Sequence, residues 1–219
     1  MLTDVHLHTI MPALPPAKLE LFLPFLQFAA AEFGIDRPAR EAAFIAQLAH
    51  ESGQLRYMEE IWGPTEAQKR YEPPSTLATK LGNTEKGDGK RFKGRGPIQI
   101  TGRANYQRYG DLLLLDLVAD PAKAAAPEVG FRTAGLYWRR NGLNELADRA
   151  TPEAFREITK RINGGLNGIK DRERFYATAR AVLGVVTPPG PDSLFPAPPA
   201  PFERGYEAIR ADARRRRAR

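Results

Sequence analysis

Ala43-Phe44-Ile45-Ala46-Gln47-Leu48-Ala49-His50-Glu51-Ser52-Gly53 is the stretch that decides how this chain is read. Ala42, Phe44, Ile45 and Leu48 recur at helical spacing, so the segment predicts a helix with an apolar face. Asp36 with Pro38 just behind it marks the start, and Gly53 suits the position after the last turn. Glu51 therefore falls at the end of an apolar helix. Burying an ionised carboxylate strips its solvation. Such a Glu is either a solvated helix-end residue or a group whose proton affinity its surroundings tune. Position 54 is Gln, so the zinc-binding pattern of two histidines one turn apart fails here.

Working outward, Leu19, Leu23, Leu26 and Ala30 predict a helix over Ala17 to Phe33, closed by Gly34. Downstream, Glu128 to Asn141, Pro152 to Arg161 and Asp171 to Leu183 also read as helices. Between Trp62 and Phe92 the chain is polar and rich in Gly and Pro, a loop with one short helix near Thr65 to Tyr71. With so little strand signal, the expected class is mainly α, one core over residues 1–186. Seven prolines in 187–201 predict a stiff connector. Residues 202–219 form a basic tail, long enough for a short helix.

Composition narrows the function. At 219 residues, 42% hydrophobic and 27% charged, the chain has the make-up of a soluble globular protein. The absence of cysteine excludes a disulfide scaffold, a thiol nucleophile and any cysteine-ligated metal. No basic segment followed by an apolar one opens the chain, so the expectation is synthesis in a host cytoplasm without a Sec-type signal. Of the formal charge of +7, the last 18 residues supply +4 through seven arginines against three acids. That tail reads either as a contact for an anionic outer-membrane surface or as a solvated end.

Several residues can carry chemistry. Glu59 and Glu60 follow the turn at Gly53, and a chain reversal there would face one of them toward Glu51. A pair of carboxylates in different surroundings is what glycoside hydrolysis needs, one protonated to release the leaving oxygen and one ionised to activate water. In Lys93-Gly94-Arg95-Gly96-Pro97-Ile98-Gln99-Ile100-Thr101, the two glycines allow close backbone approach. Gln99 and Thr101 alternate with Ile98 and Ile100, which fits a strand-like cleft floor or a turn entering an edge strand. A phosphate loop fits poorly: Gly82 and Gly87 have its spacing, but Asp88 stands where such a loop requires Lys. Asn163-Gly164-Gly165 offers a side-chain amide or a simple helix cap. His6 and His8 have no third ligand nearby, so no metal is expected.

Together, the His50-Glu51 block, the Phe92 to Thr101 block with Asn105-Tyr106, and Ile162-Asn163-Gly164-Gly165 with Asp171-Arg172 and Phe175-Tyr176 resemble the family 19 glycoside hydrolases. These are lysozyme-like enzymes that include plant chitinases and phage endolysins. The resemblance spans residues 9 to 186 and implies a two-lobed helical domain with a catalytic cleft, at most a small β element, and no cofactor. It implies Glu51 as general acid and Glu60 as the base that activates water, with Glu59 as a rival, and Thr101 helping to hold that water. Gln99, Asn105, Tyr106 and Asn163 match substrate-contacting positions, and Arg172 a basic residue near the acids. The mechanism implied is single displacement with inversion, which needs carboxylates roughly 6.5–9.5 Å apart.

This chain departs from the plant enzymes in lacking their disulfide-braced loops, and Glu66 to Lys90 differs from theirs. It is most similar to the endolysins, whose substrate is the peptidoglycan glycan strand. The expectation is a monomeric wall-lytic enzyme that does not bind nucleic acid. A chitinase of the same fold and a polyanion-binding protein, the latter drawn from the pI of 9.8, are the alternatives.

Overall fold

The computed structural model describes residues 1–186. The expected connector over 187–201 and the tail over 202–219 lie outside the described residues. By their internal contacts the described residues divide into two units, Met1–Arg56 with the chain from Ala134 onward, and Tyr57–Thr133.

The first unit is built from helices. It comprises α1 (Asp4–Ile10), α2 (Pro16–Glu32) and α3 (Pro38–Glu51). In chain order the remaining helices are α4 (Glu66–Lys69), α5 (Thr76–Leu81), α6 (Asp88–Arg91), α7 (Arg103–Leu113), α8 (Pro127–Arg140), α9 (Leu143–Ala147), α10 (Pro152–Asn163) and α11 (Ile169–Val182). Of these, α4 to α7 belong to the second unit, and α8 runs over the boundary. Helices α1, α5, α6, α7 and α9 were not expected from the sequence. Except for α7 they are seven residues or shorter, too short for a clear 3.6-residue period.

Helix α3 is buried almost all round, with Ala42, Ala43, Phe44, Ile45, Ala46 and Ala49 at 0–1% exposure. Its apolar residues belong to the core, and its buried polar ones, Glu41, Gln47 and Glu51, need partners there. Helix α11 packs along it, and Phe44 meets Trp138 edge-on at 5.2 Å. Phe155 of α10 stacks on Tyr176 of α11 at 4.0 Å. Arg40, in the first turns of α3, grips Asp148 with two hydrogen bonds of 2.7 and 2.5 Å. The end of α3 closes as the sequence predicts. Gly53 adopts φ 59°, and the amide of Gln54 returns to the Ala49 carbonyl at 2.7 Å. Glu51 is thus the last helical residue, aimed by a fully bonded helix end.

In the second unit, short helices surround Phe92 and Tyr106, whose rings meet at 5.3 Å. Asp88, which stands where a phosphate loop requires Lys, is buried and holds Arg103 by two hydrogen bonds of 2.8 and 2.7 Å. It also accepts from the amides of Thr84 and Glu85. Burial raises its proton affinity, but Arg103 and the two amides outweigh it and hold the carboxyl below its ordinary value of 3.8. A group depressed in the folded state stabilises above its unfolded pKa and loses that contribution as pH falls through the folded value. The urea midpoint is therefore expected to drop between pH 5 and pH 3 in the wild type. Asp88→Asn should cost about 2 kcal/mol at pH 7 and flatten that drop, as read by urea titrations at both pH values.

The Gly-punctuated run is not a strand. Arg95 and Ile100 exchange both backbone hydrogen bonds, at 3.1 and 2.9 Å, and the residues between them turn. Gly96 at φ 75° and Gln99 at φ 58° make the reversal. Alternation of polar and apolar residues mimicked a strand where the backbone folds back.

Candidate active site

Glu51 sits at the centre of a buried polar network in the first unit. Its Oε1 accepts from Nη2 of Arg172 at 2.6 Å, and both side chains are almost wholly buried, at 4% and 0% exposure. Arg172 also donates Nη1 to Oε1 of Gln47 and Nε to the Asn167 carbonyl at 3.4 Å. Gln47 in turn donates to Thr159 Oγ1 at 2.8 Å, and that hydroxyl donates to the Phe155 carbonyl. Helices α3, α10 and α11 therefore meet through these side chains. Burial favours the neutral form of Glu51, while the guanidinium favours the ionised form.

Beside it, His50 Nδ1 lies 2.7 Å from Asp171 Oδ2, and Arg174 donates to Asp171 Oδ1 at 2.6 Å. Burial pushes the Asp171 carboxyl up, but Arg174 and His50 more than reverse this and hold it below its ordinary range. The His50 ring is thus fixed at the end of α3, one residue before Glu51.

Glu60 is held in the second unit by neutral donors. Its Oε1 accepts from Gln68 Nε2 at 3.0 Å and from the Tyr71 hydroxyl at 3.5 Å, and its Oε2 from the Gly94 amide at 3.0 Å. The Glu60 amide donates back to the Gly94 carbonyl at 2.8 Å. A side chain at position 94 would collide with Gln99, whose Oε1 lies 2.8 Å from where a Cβ would stand, with Thr101 Oγ1 at 3.3 Å. Glycine at 94 leaves room for Gln99 and Thr101 beside the backbone that binds Glu60; a larger residue would displace the end of the Gln99 side chain. The Thr101 hydroxyl donates to the Gln99 carbonyl at 3.0 Å, and Asn105 Nδ2 to the Thr101 carbonyl at 2.9 Å.

Glu59 is bound differently. Arg95 Nε reaches its Oε1 at 2.9 Å and Lys93 Nζ at 3.2 Å. Partial burial raises its proton affinity, but Lys93 and Arg95 prevail and keep the carboxyl below its ordinary range. It is an ion-paired surface acid, whereas the hydrogen bonds that hold Glu60 come from the neutral donors Gln68, Tyr71 and Gly94.

Three of the residues expected near the substrate or the acids are buried. Tyr106 is fully buried, its hydroxyl donating to the Lys93 carbonyl at 2.6 Å and accepting from Arg95 at 2.8 Å. Desolvation drives its pKa far above the ordinary phenol value. Asn163, 2% exposed, donates Nδ2 to the carbonyls of Gly165 and Asn167, bracing the turn after α10. Arg172 has no exposed surface for a sugar. All three are buried and bonded within the protein, and Arg172 stands beside Glu51, as expected of a basic residue near the acids. Gln99 and Asn105 are half-buried and keep some surface. Gln47, Thr159, Gln68 and Tyr71 escaped the sequence reading. Only the spacing of Gln68 from Thr65, which makes a capping box at α4, was a visible signal, and it pointed to a helix start. His6 and His8 lie on α1.

Comparison with known proteins gives this geometry a context. The family model described as Chitinase class I, of glycoside hydrolase family 19, matches residues 22–147. A family 19 domain-containing protein of Haemophilus influenzae is 32% identical over 160 residues, covering 63% of this chain and 76% of that protein. An endochitinase of Arabidopsis thaliana is 37% identical over 173 residues, covering 76% of this chain. The chain spans only 56% of that plant enzyme's length. Among solved structures, chitinase C from Streptomyces griseus superposes with a TM-score of 0.65 at 23% identity, covering 86% of this chain and 78% of that one. A mainly helical fold holding two carboxylates in unlike surroundings is of the class that hydrolyses sugar linkages with an acid and a base. The chain belongs to glycoside hydrolase family 19.

Proposed function

We propose that this protein hydrolyses the β-1,4 linkages of the peptidoglycan glycan strand as an endolysin-type lytic enzyme. The contrast between its two carboxylates carries the reading. Glu51 is buried against a guanidinium and serves as the acid that protonates the leaving oxygen. Glu60, half-buried and bonded by neutral donors, serves as the base for water, which then attacks with inversion. Thr101, beside Gly94 with Glu60, helps to hold that water. Gln99 and Asn105 contact the sugar, and Tyr106, Asn163 and Arg172 keep the machinery in place.

The choice of peptidoglycan is supported by the cysteine-free segment between Glu66 and Arg91, three short helices where the plant enzymes carry disulfide-braced loops. An arginine-rich tail is suited to an anionic outer-membrane surface, and the enzyme is taken to work as a monomer. Chitin hydrolysis is the second reading, favoured by the names of the relatives, which are endochitinases and chitinases.

The test is mass spectrometry of the reducing ends left on digested sacculi, beside a parallel assay on colloidal chitin. New muramic or glucosamine reducing ends, formed faster than chitooligosaccharides, support the proposal. Chitin cleavage with intact sacculi overturns it. For the roles of the acids, Glu60→Gln should lose at least about ten times more activity than Glu59→Gln, measured as kcat on the preferred substrate. Equal losses would return Glu59 as the base.

A further inference from the structure

A cavity of about 660 Å³ opens in the second unit with Trp62 in its wall, together with Lys69, Glu72, Lys86 and Lys90. Its volume is in the range of roughly 300–1,000 Å³ that small-molecule sites occupy. Trp62 is half-buried, packed on Tyr71 at 6.1 Å between ring centres, so its position is fixed while part of the ring meets the cavity. An indole fixed this way offers an apolar platform for a sugar ring.

The cations around it are not equivalent. Lys69 is spent on Glu66 at 2.6 Å. Glu72 gives its oxygens to the backbone amides of Gly87 and Lys90, at 2.8 and 3.4 Å. Lys86 and Lys90 are exposed, and neither has an ion pair among the described residues. Lys90 also stands in the wall of a neighbouring cavity of about 430 Å³. Of the other cations there, Lys93 and Arg95 are engaged by Glu59 and Arg91 by the Val118 carbonyl. Two unspent positive charges thus flank a tryptophan platform.

The cavity is coupled to Glu60 within the same unit. Gln68 donates to Glu60 Oε1 and to the Ile61 carbonyl, and its own carbonyl accepts from the amides of Gly63 and Thr65. One side chain therefore fixes both the carboxylate and the loop that carries Trp62.

We propose that this cavity is a substrate subsite for a sugar bearing a carboxylate-containing substituent, with the ring on Trp62 and the carboxylate on Lys86 and Lys90. The proposal rests on peptidoglycan as substrate, whose lactyl-linked stem peptides supply such carboxylates, and it makes the cavity the element that separates that glycan from neutral chitin.

The full chain is assayed on outer-membrane-stripped sacculi and on the same sacculi with their carboxylates converted to amides. Lys86→Gln/Lys90→Gln is expected to lower kcat/KM on native sacculi about five- to tenfold, through KM, with kcat held. Amidation should lower the wild type similarly, and the double variant should then lose nothing more. Binding of a disaccharide tetrapeptide should quench the fluorescence of Trp62, which Trp62→Phe abolishes. The other tryptophan, Trp138, is 2% exposed and does not report. If the wild type cleaves native and amidated sacculi equally well, the subsite is overturned while hydrolysis of peptidoglycan stands. If it cleaves chitin but neither form of sacculus, both proposals fall.

Discussion

Glu51→Gln is expected to leave a folded protein with about 10²- to 10⁴-fold less glycosidase activity, the contribution of one positioned general acid. The amide keeps the size of the carboxyl, and its oxygen can still accept from Arg172 Nη2. What it lacks is a proton to give. Departure of a sugar oxygen without protonation would leave a strongly basic alkoxide, so the chemical step, and not binding, should slow. The kinetic signature is a fall in kcat with KM nearly unchanged. Stability should fall as well, by up to about 3 kcal/mol, because a buried guanidinium loses its anion, although the amide oxygen at 51, Gln47 and the Asn167 carbonyl can still accept from it. Circular dichroism melts beside initial rates on the preferred glycan separate the two effects. A variant that retains more than a tenth of wild-type kcat would remove Glu51 from the acid role.

Helix α3 could be read directly because its signals are local. Apolar residues at helical spacing, Pro38 in the first turn and Gly53 after the last fix its ends and place Glu51 at its terminus. The partners of Glu51 are not local. Arg172 lies 121 residues away and Thr159 is 112 from Gln47, and nothing in the charge of an arginine announces that it is buried. Only the resemblance carried by Asp171-Arg172 pointed to it, as a basic group near the acids.

The Gly94 to Thr101 run misled for a different reason. Gln99 takes a left-handed backbone at φ 58°, which a non-glycine residue adopts seldom, so polar alternation outvoted the turn. Both features still bring Gln99 and Thr101 to Gly94, by a reversal and not by a pleat. Helices α5 and α6, of six and four residues, are too short to show an apolar stripe; α5 buries Ala78 and Leu81, and the polar side chains of Asn83, Asp88 and Arg103 tie the segment together. Their existence depends on contacts that periodicity does not record.

Arg172→Met should destabilise the fold by about 3–5 kcal/mol, the usual consequence of removing one partner of a buried pair. The guanidinium has no exposed surface, and with it go the bonds to Glu51, Gln47 and Asn167. For a chain of this size each kcal/mol corresponds to about 2–4 °C, so the melting temperature should drop by roughly ten degrees or more. The loss lies less in the bonds broken than in the carboxylate stranded without its cation. That distinction predicts the second half of the experiment. In Glu51→Gln/Arg172→Met neither charge of this pair remains, so a substantial part of the stability should return although activity does not. A double variant as unstable as Arg172→Met alone would mean that the packing of the arginine stem between α3 and α11 matters more than its charge. Arg172→Lys separates the last possibility. A lysine retains the cation but cannot span Glu51 and Gln47 with a planar fork. It should recover much of the stability and little of the activity, because the acid at residue 51 would then be paired but no longer aimed.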